Sequence, residues 1–179
     1  MIPYSRQQIF KEDIDAVIGV LKSDLLTQGE VVPSFETAIS CYTQSEFGVA
    51  TNSATSALHV ACLALGLKAG DLLWTVPNTF VASANCGLYC GAEVDFVDID
   101  SKHWNMSVSA LEAKLQKAKQ INRLPKIVVP VHFGGLPADM AEIRQLSHKY
   151  GFAIIEDASH AIGASYLNDK VGGCKFADI

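Results

Sequence analysis

Leu72-Leu-Trp-Thr-Val76-Pro77 opens the stretch that decides the fold, and Gly91-Ala-Glu-Val-Asp-Phe-Val97 closes it. A largely apolar run halted by proline reads as a buried strand, because a strand covered on both faces loses the polar alternation of a half-exposed one. Residues 79–90 between them read as a helix that Gly91 ends, and 93–97 as the next strand. Two strands joined through a helix are the unit of a parallel sheet, since parallel neighbours need a crossover of about a dozen residues.

The same alternation extends both ways. Ile14, Val17, Ile18 and Leu21 recur at helical spacing and predict one buried face; a second helix follows Gly29, with Phe35, Ala38, Ile39 and Tyr42 inward. Residues 47–51 read as a short strand and 53–65 as a helix closed by Gly66. Val108, Leu111, Leu115 and Ala118 mark another amphipathic helix, with Ser109 and Glu112 at capping-box spacing. A strand at 127–131, a helix through Met140, Ile143, Leu146 and Tyr150 ended by Gly151, and a strand at 152–155 follow. Repeated strand–helix–strand units predict an α/β layer fold with a mostly parallel sheet, whose strand C-termini line one edge. No linker, repeat or low-complexity tract interrupts it, and the final residues carry no turn or cap that would close a domain.

Composition bounds the function. The chain has 179 residues, 49% hydrophobic and 18% charged, which supports a buried core and argues against disorder. Net charge of −5 with no run of Lys and Arg argues against nucleic acid or an anionic membrane as partner. The start lacks a secretory signal, and the longest apolar stretch, 58–67, falls short of the ~20 residues that cross a bilayer. The expectation is a soluble, cytoplasmic protein. Five Cys show no disulfide spacing and no C-x-x-C; Cys86 and Cys90 read as small core residues, and no metal site is expected.

Chemistry-bearing residues gather where strands end. In Thr51-Asn-Ser-Ala-Thr-Ser-Ala-Leu58 a strand passes into a helix, so free N–H groups and the helix dipole favour an anion, and Thr55 and Ser56 add hydroxyls. The plainer alternative is that Ser53 only caps the helix. No P-loop and no G-x-G-x-x-G occurs. Pro77-Asn-Thr-Phe80 puts an aromatic past a buried strand, fit to stack on a flat ring or to fill a core. Ile154-Ile-Glu-Asp157-Ala-Ser-His160 ends another strand in two carboxylates; Asp157 suits a cation, a protonated ring nitrogen or a helix cap, and His160 is equally readable as structural. Anion nest, ring stacker and acidic partner together describe a site for a phosphorylated pyridine.

In that order, Ser53-Ala-Thr-Ser-Ala-Leu58, Pro77-Asn-Thr-Phe80, Pro130-Val-His-Phe-Gly-Gly135 and Glu156-Asp-Ala-Ser-His160-Ala resemble the DegT/StrS family of sugar-nucleotide aminotransferases. The match runs from Ile2-Pro-Tyr-Ser through Leu26-Thr-Gln-Gly29 to the last residues. It implies the pyridoxal phosphate-dependent transferase fold type I, like aspartate aminotransferase: a three-layer α/β/α large domain. Residues 1–179 would be its N-terminal part, truncated, without the rest of that domain or the C-terminal small domain. It implies pyridoxal 5'-phosphate or pyridoxamine 5'-phosphate as cofactor, with Thr55 and Ser56 on the phosphate, Phe80 on the ring, Asp157 at the pyridinium nitrogen and His160 near the ring hydroxyl. His132 takes no catalytic step.

The implied reaction moves an amino group from glutamate to the 4-keto carbon of a UDP-linked deoxysugar, within a homodimer. The Schiff-base lysine, which also serves as base, follows an Ala-Asp-Ile-like stretch in the family and is expected beyond Ile179; Lys170 and Lys175 do not match it. No catalytic residue is therefore expected in this chain, and it should be inactive alone. Two alternatives stay open: a dehydratase of the same family with histidine at the lysine position, or a non-catalytic remnant or binding module.

Overall fold

A computed structural model describes residues 6–179. The opening run Ile2-Pro-Tyr-Ser lies outside the described residues. In chain order the elements are α1 (Lys11–Leu21), α2 (Val31–Thr43), α3 (Ala54–Ala64), β1 (Leu72–Thr75), α4 (Ala82–Tyr89), β2 (Glu93–Phe96), α5 (Val108–Gln120), β3 (Ile127–Val128), α6 (Met140–Tyr150), β4 (Ala153–Ile154), β5 (Ser165–Tyr166) and β6 (Asp169–Lys170). Strands pair in the order β2-β1-β3-β4, all parallel, and β5 with β6 forms a separate antiparallel hairpin.

Period-two alternation divides each strand between two cores. Trp74, Val76, Val128 and Ile154 face a layer holding Leu111 and Leu115 of α5 with Ile143 and Leu146 of α6. Leu73, Ile127, Val129 and Ile155 face Leu58 and Cys62 of α3 and Cys86 of α4 on the other side. The central strands β1 and β3 are thus sandwiched between helix layers, as their apolar character requires, while edge strand β2 (Glu-Val-Asp-Phe) stays largely exposed. Cys86 is a buried core residue; Cys90 is half-buried beside it. No helix among the described residues is long and apolar enough to cross a membrane.

Five expectations need correction. Helix α1 forms, but Ile14, Val17, Ile18 and Leu21 are all exposed, because no described segment presents an apolar surface to them. On α2, Phe35, Ala38 and Tyr42 are likewise exposed and Ile39 half-buried; only Thr43 is buried, against Gly172 and Gly173. Residues 47–51 form no strand and join no ladder. An apolar groove lined by Phe47, Val49, Val60, Ala61 and Ile179 separates them from the sheet, whose β4 edge is instead paired with 178–179: Asp178 N–H donates to Ile154 O (2.9 Å) and Glu156 N–H to Ile179 O (2.8 Å). The cap of α5 is Ser107, not Ser109. Ser107 Oγ accepts from Ala110 N–H at 3.2 Å, because fully buried Met106 fixes where the chain enters the helix, and Glu112 pairs with Lys149 instead.

Helix α4 also starts later than the pattern suggests, at Ala82. Residues 77–81 serve as a loop that turns the chain off the strand edge, with Asn78 Nδ2 donating to Trp104 O at 3.4 Å. Two elements had no clear sequence signal. The hairpin turn Leu167-Asn168 has positive φ at both residues, the conformation that matches strand twist in two-residue hairpins. The single turn Phe133–Gly135 brings Gly135 (φ +86°) so close to the His160 carbonyl that a Cβ there would lie 2.7 Å from its oxygen.

That close approach generates a prediction. Gly135→Ala combines left-handed strain with a backbone clash and is expected to lower unfolding free energy by about 1–3 kcal/mol. Gly134→Ala (φ +60°), with nothing within 4 Å, suffers the strain alone. Equal urea midpoints for the two variants would show that the His160 turn does not depend on the contact.

Candidate functional site

The C-terminal ends of β1, β3 and β4 meet the N-terminus of α3 around a cleft of about 480 Å³. Thr55, Asn78, Thr79, Phe80, His132, Phe133, Asp157, Ser159 and His160 line it. Four of the five cofactor-binding residues expected from sequence therefore border one cavity: Thr55, Phe80, Asp157 and His160. Ser56 lies one residue further along, and its hydroxyl donates to Asn52 Oδ1 at 2.7 Å.

Asp157 sits at the floor, 7% exposed. The β3–β4 pairing breaks at Pro130 and resumes past it: Asp157 N–H donates to Pro130 O (3.0 Å) and His132 N–H to Asp157 O (3.1 Å). The carboxylate is held as firmly. Oδ1 accepts from Ser159 Oγ (2.6 Å) and Ser159 N–H (3.3 Å), and Oδ2 from buried Ser83 Oγ (2.6 Å). A carboxylate has roughly four lone-pair sites, so three donors leave one for a ligand.

Opposite stands the start of α3. Ser53 is extended and its Oγ accepts from Ser56 N–H (3.2 Å), while Ala57 N–H bonds to Ser53 O (3.0 Å). The cap reading of Ser53 is thus correct, and it does not compete with an anion site. The Ala54 and Thr55 amides come ahead of the capped positions, in the part of the helix whose N–H groups have no intrahelical partner. Phe80, 73% exposed, stands at the mouth, where it can cover a flat ring. His160 is exposed at the rim.

His132 is buried and both ring nitrogens are used. Nδ1 accepts from Ala138 N–H (3.1 Å), which fixes the proton on Nε2, and Nε2 donates to Glu156 Oε1 (2.8 Å). Glu156 Oε2 in turn accepts from Gly172 N–H (3.1 Å). Asn105, also buried, donates to Leu136 O and Pro137 O and accepts from Phe133 N–H (2.9 Å). These are braces for the loop that forms one wall. Sequence reasoning missed Ser83, Ser159, Asn105 and the role of Glu156. Only Ser159 had a signal, since aspartate side chains commonly accept from the N–H two residues on.

The family model described as the DegT/DnrJ/EryC1/StrS aminotransferase family matches residues 7–179. The chain is 45% identical over 172 residues to a UDP-4-amino-4,6-dideoxy-N-acetyl-beta-L-altrosamine transaminase of Campylobacter jejuni subsp. jejuni serotype O:23/36, covering 96% of this chain and 44% of that protein. Among solved structures it is similar to an aminotransferase from Psychrobacter cryohalolentis (TM-score 0.85, 32% identity, 95% of this chain and 42% of that one). It is also similar to a Helicobacter pylori aminotransferase involved in the biosynthesis of pseudoaminic acid (TM-score 0.84, 33% identity, 94% and 44%). The chain spans less than half the length of the curated relatives it matches. The fold is that of the fold type I pyridoxal phosphate-dependent aminotransferases.

If His132 is a brace rather than a proton carrier, its removal acts on stability. His132→Ala strands the Ala138 N–H and one oxygen of Glu156, at about 1–3 kcal/mol for each buried group left unpaired. A denaturation midpoint unchanged from the parent chain would refute the brace.

Proposed function

The chain belongs to the DegT/DnrJ/EryC1/StrS aminotransferase family, and from that premise we propose that it forms the cofactor-holding part of an enzyme that transfers an amino group from glutamate to the 4-keto carbon of a UDP-linked deoxysugar. The observation that carries this reading is Asp157: a buried carboxylate with one free lone pair, facing a cleft whose far side is a helix N-terminus bearing Thr55. That pairing suits a molecule with a basic ring nitrogen at one end and a phosphate at the other, as pyridoxal or pyridoxamine phosphate has. The sugar class rests on the names of the Campylobacter jejuni relatives.

In this reading Asp157 holds the proton on the ring nitrogen. The Ala54 and Thr55 amides and the Thr55 hydroxyl bind the phosphate, with Ser56 shaping the same turn, and the helix dipole adds to the attraction. Phe80 covers one ring face and excludes water from it; His160 reaches the ring hydroxyl from the rim. When bound, the cofactor supplies a protonated ring that accepts electrons from the carbon carrying the amine. His132 moves no proton, because both its nitrogens are engaged. Lys170, over the Tyr42 ring, and Lys175, paired with Asp169, do not border the cleft, so neither serves as the covalent lysine or the base. Residues 1–179 are then the N-terminal part of the large domain of a homodimeric enzyme.

Two substitutions, made in a full-length enzyme that contains these residues, test the assignment. Asp157→Asn keeps size and removes charge, and is expected to cut turnover, followed as 2-oxoglutarate release, by about 10²–10³-fold, the effect of losing one electrostatic partner of a reacting group. Near-normal turnover with an unchanged circular dichroism spectrum would rule out Asp157 as the ring's partner. Thr55→Ala should weaken cofactor affinity by the ~0.5–1.5 kcal/mol of one hydrogen bond, read by equilibrium titration. Unaltered affinity would leave Thr55 as no more than the start of a helix.

A further inference from the structure

Beneath the cleft lies a polar side chain that touches no ligand space. Ser83, the second residue of α4, is 0% exposed, yet its hydroxyl has three neighbours: Asp157 Oδ2 at 2.6 Å, Thr79 Oγ1 at 2.7 Å and Phe80 O at 3.2 Å. A serine has one proton to give, and an ionised carboxylate has none. The charge-assisted bond is the stronger, so the proton goes to Asp157 rather than to the Phe80 carbonyl. Ser83 Oγ is then free to accept, and Thr79 must be the donor. The result is a directed chain, Thr79 to Ser83 to Asp157, in which each bond polarises the next.

Counting lone pairs on Asp157 gives this chain its meaning. Both Ser159 donors go to Oδ1, which they saturate. Oδ2 accepts from Ser83 alone. A donor entering the cleft therefore meets Oδ2, the oxygen that Ser83 holds. We propose that Ser83, with Thr79 behind it, is a positioning residue that presents Oδ2 of Asp157 to the pyridine nitrogen of the cofactor and favours the shared proton on the ring. The inference rests on the reading of Asp157 given above. Hydrogen bonds to a carboxylate stabilise the charged form over the acid. A proton shared between Asp157 and a ring nitrogen is thereby kept on the ring. Without the Ser83 hydroxyl the balance moves toward a neutral pair, and Oδ2 loses the contact that fixes its direction.

A purely structural Ser83, tying α4 to the end of β4, would affect stability but not the ring proton. The test reads that proton directly. The full-length enzyme that contains these residues is loaded with pyridoxal phosphate labelled with ¹⁵N in the ring, and the nitrogen chemical shift gives the protonated fraction at fixed pH. Ser83→Ala is expected to move the shift toward the unprotonated position and raise the cofactor dissociation constant about two- to tenfold. Ser83→Thr, which keeps the hydroxyl, should restore both. Asp157→Asn serves as the control: if it leaves the shift unchanged, the cofactor reading itself is wrong. If Asp157→Asn removes the protonated signal and Ser83→Ala does not move it, the cofactor reading stands and the positioning role is overturned. Should Ser83→Ala fail to fold, Thr79→Val withdraws the outer donor at a half-buried site and must move the shift the same way by a smaller step; an unmoved shift overturns the proposal equally.

Discussion

Pro130 has no N–H to give, so the parallel ladder between β3 and β4 has to break there, and the site depends on its resuming one residue later. Asp157 donates its N–H to Pro130 and accepts from His132 through its carbonyl, so its backbone is clamped on both sides at the rim of the sheet. A residue free to swing could not keep a buried carboxylate aimed at a cavity. Residues 156–160, the turn beyond, inherit their position from this bridge. Ser159 folds back onto the same carboxylate, and the His160 carbonyl packs against Gly135.

The surrounding braces follow a common logic. A sheet covered on both faces forces its connections to its ends, and the loops there carry polar groups that burial leaves without water. Asn105, His132 and Glu156 satisfy those groups, bonding mostly to backbone rather than to one another. A backbone partner cannot change rotamer or protonation, which suits a wall that must stay still. Asp157 alone combines deep burial, a complete set of protein donors on one oxygen and an incomplete set on the other. Across the cleft from the unpartnered amides of Ala54 and Thr55, that remaining lone pair is the buried feature that asks for a ligand.

The apolar surface is distributed in contrast to this. Strands β1, β3 and β4 are covered on both faces and only edge strand β2 is left largely open, whereas α1 and the groove between Phe47, Val49 and Ile179 present apolar side chains that no described residue covers. Their pattern is that of buried positions, and the periodicity of α1 is as regular as that of α5, which is packed. What separates the two helices is the presence of a facing layer.

Sequence alone determined the order and type of nearly every helix and strand, because periodicity and the stops at Pro77, Gly66, Gly91 and Gly151 are local properties of the chain. It also marked Thr55, Phe80, Asp157 and His160, since strand ends that carry hydroxyls, an aromatic or a carboxylate are visible as strings. Tertiary structure decided the rest. Which helix faces are buried, and whether 47–51 finds a neighbour, depend on surfaces distant in sequence. That α5 is capped by Ser107 depends on where Met106 is buried. The Ser83–Asp157 bond joins residues 74 apart, and the two-sided engagement of His132 joins a strand end to a loop and to the next strand. No local pattern encodes such pairs, because the hydrogen bonds exist only once the sheet has set the distance between them.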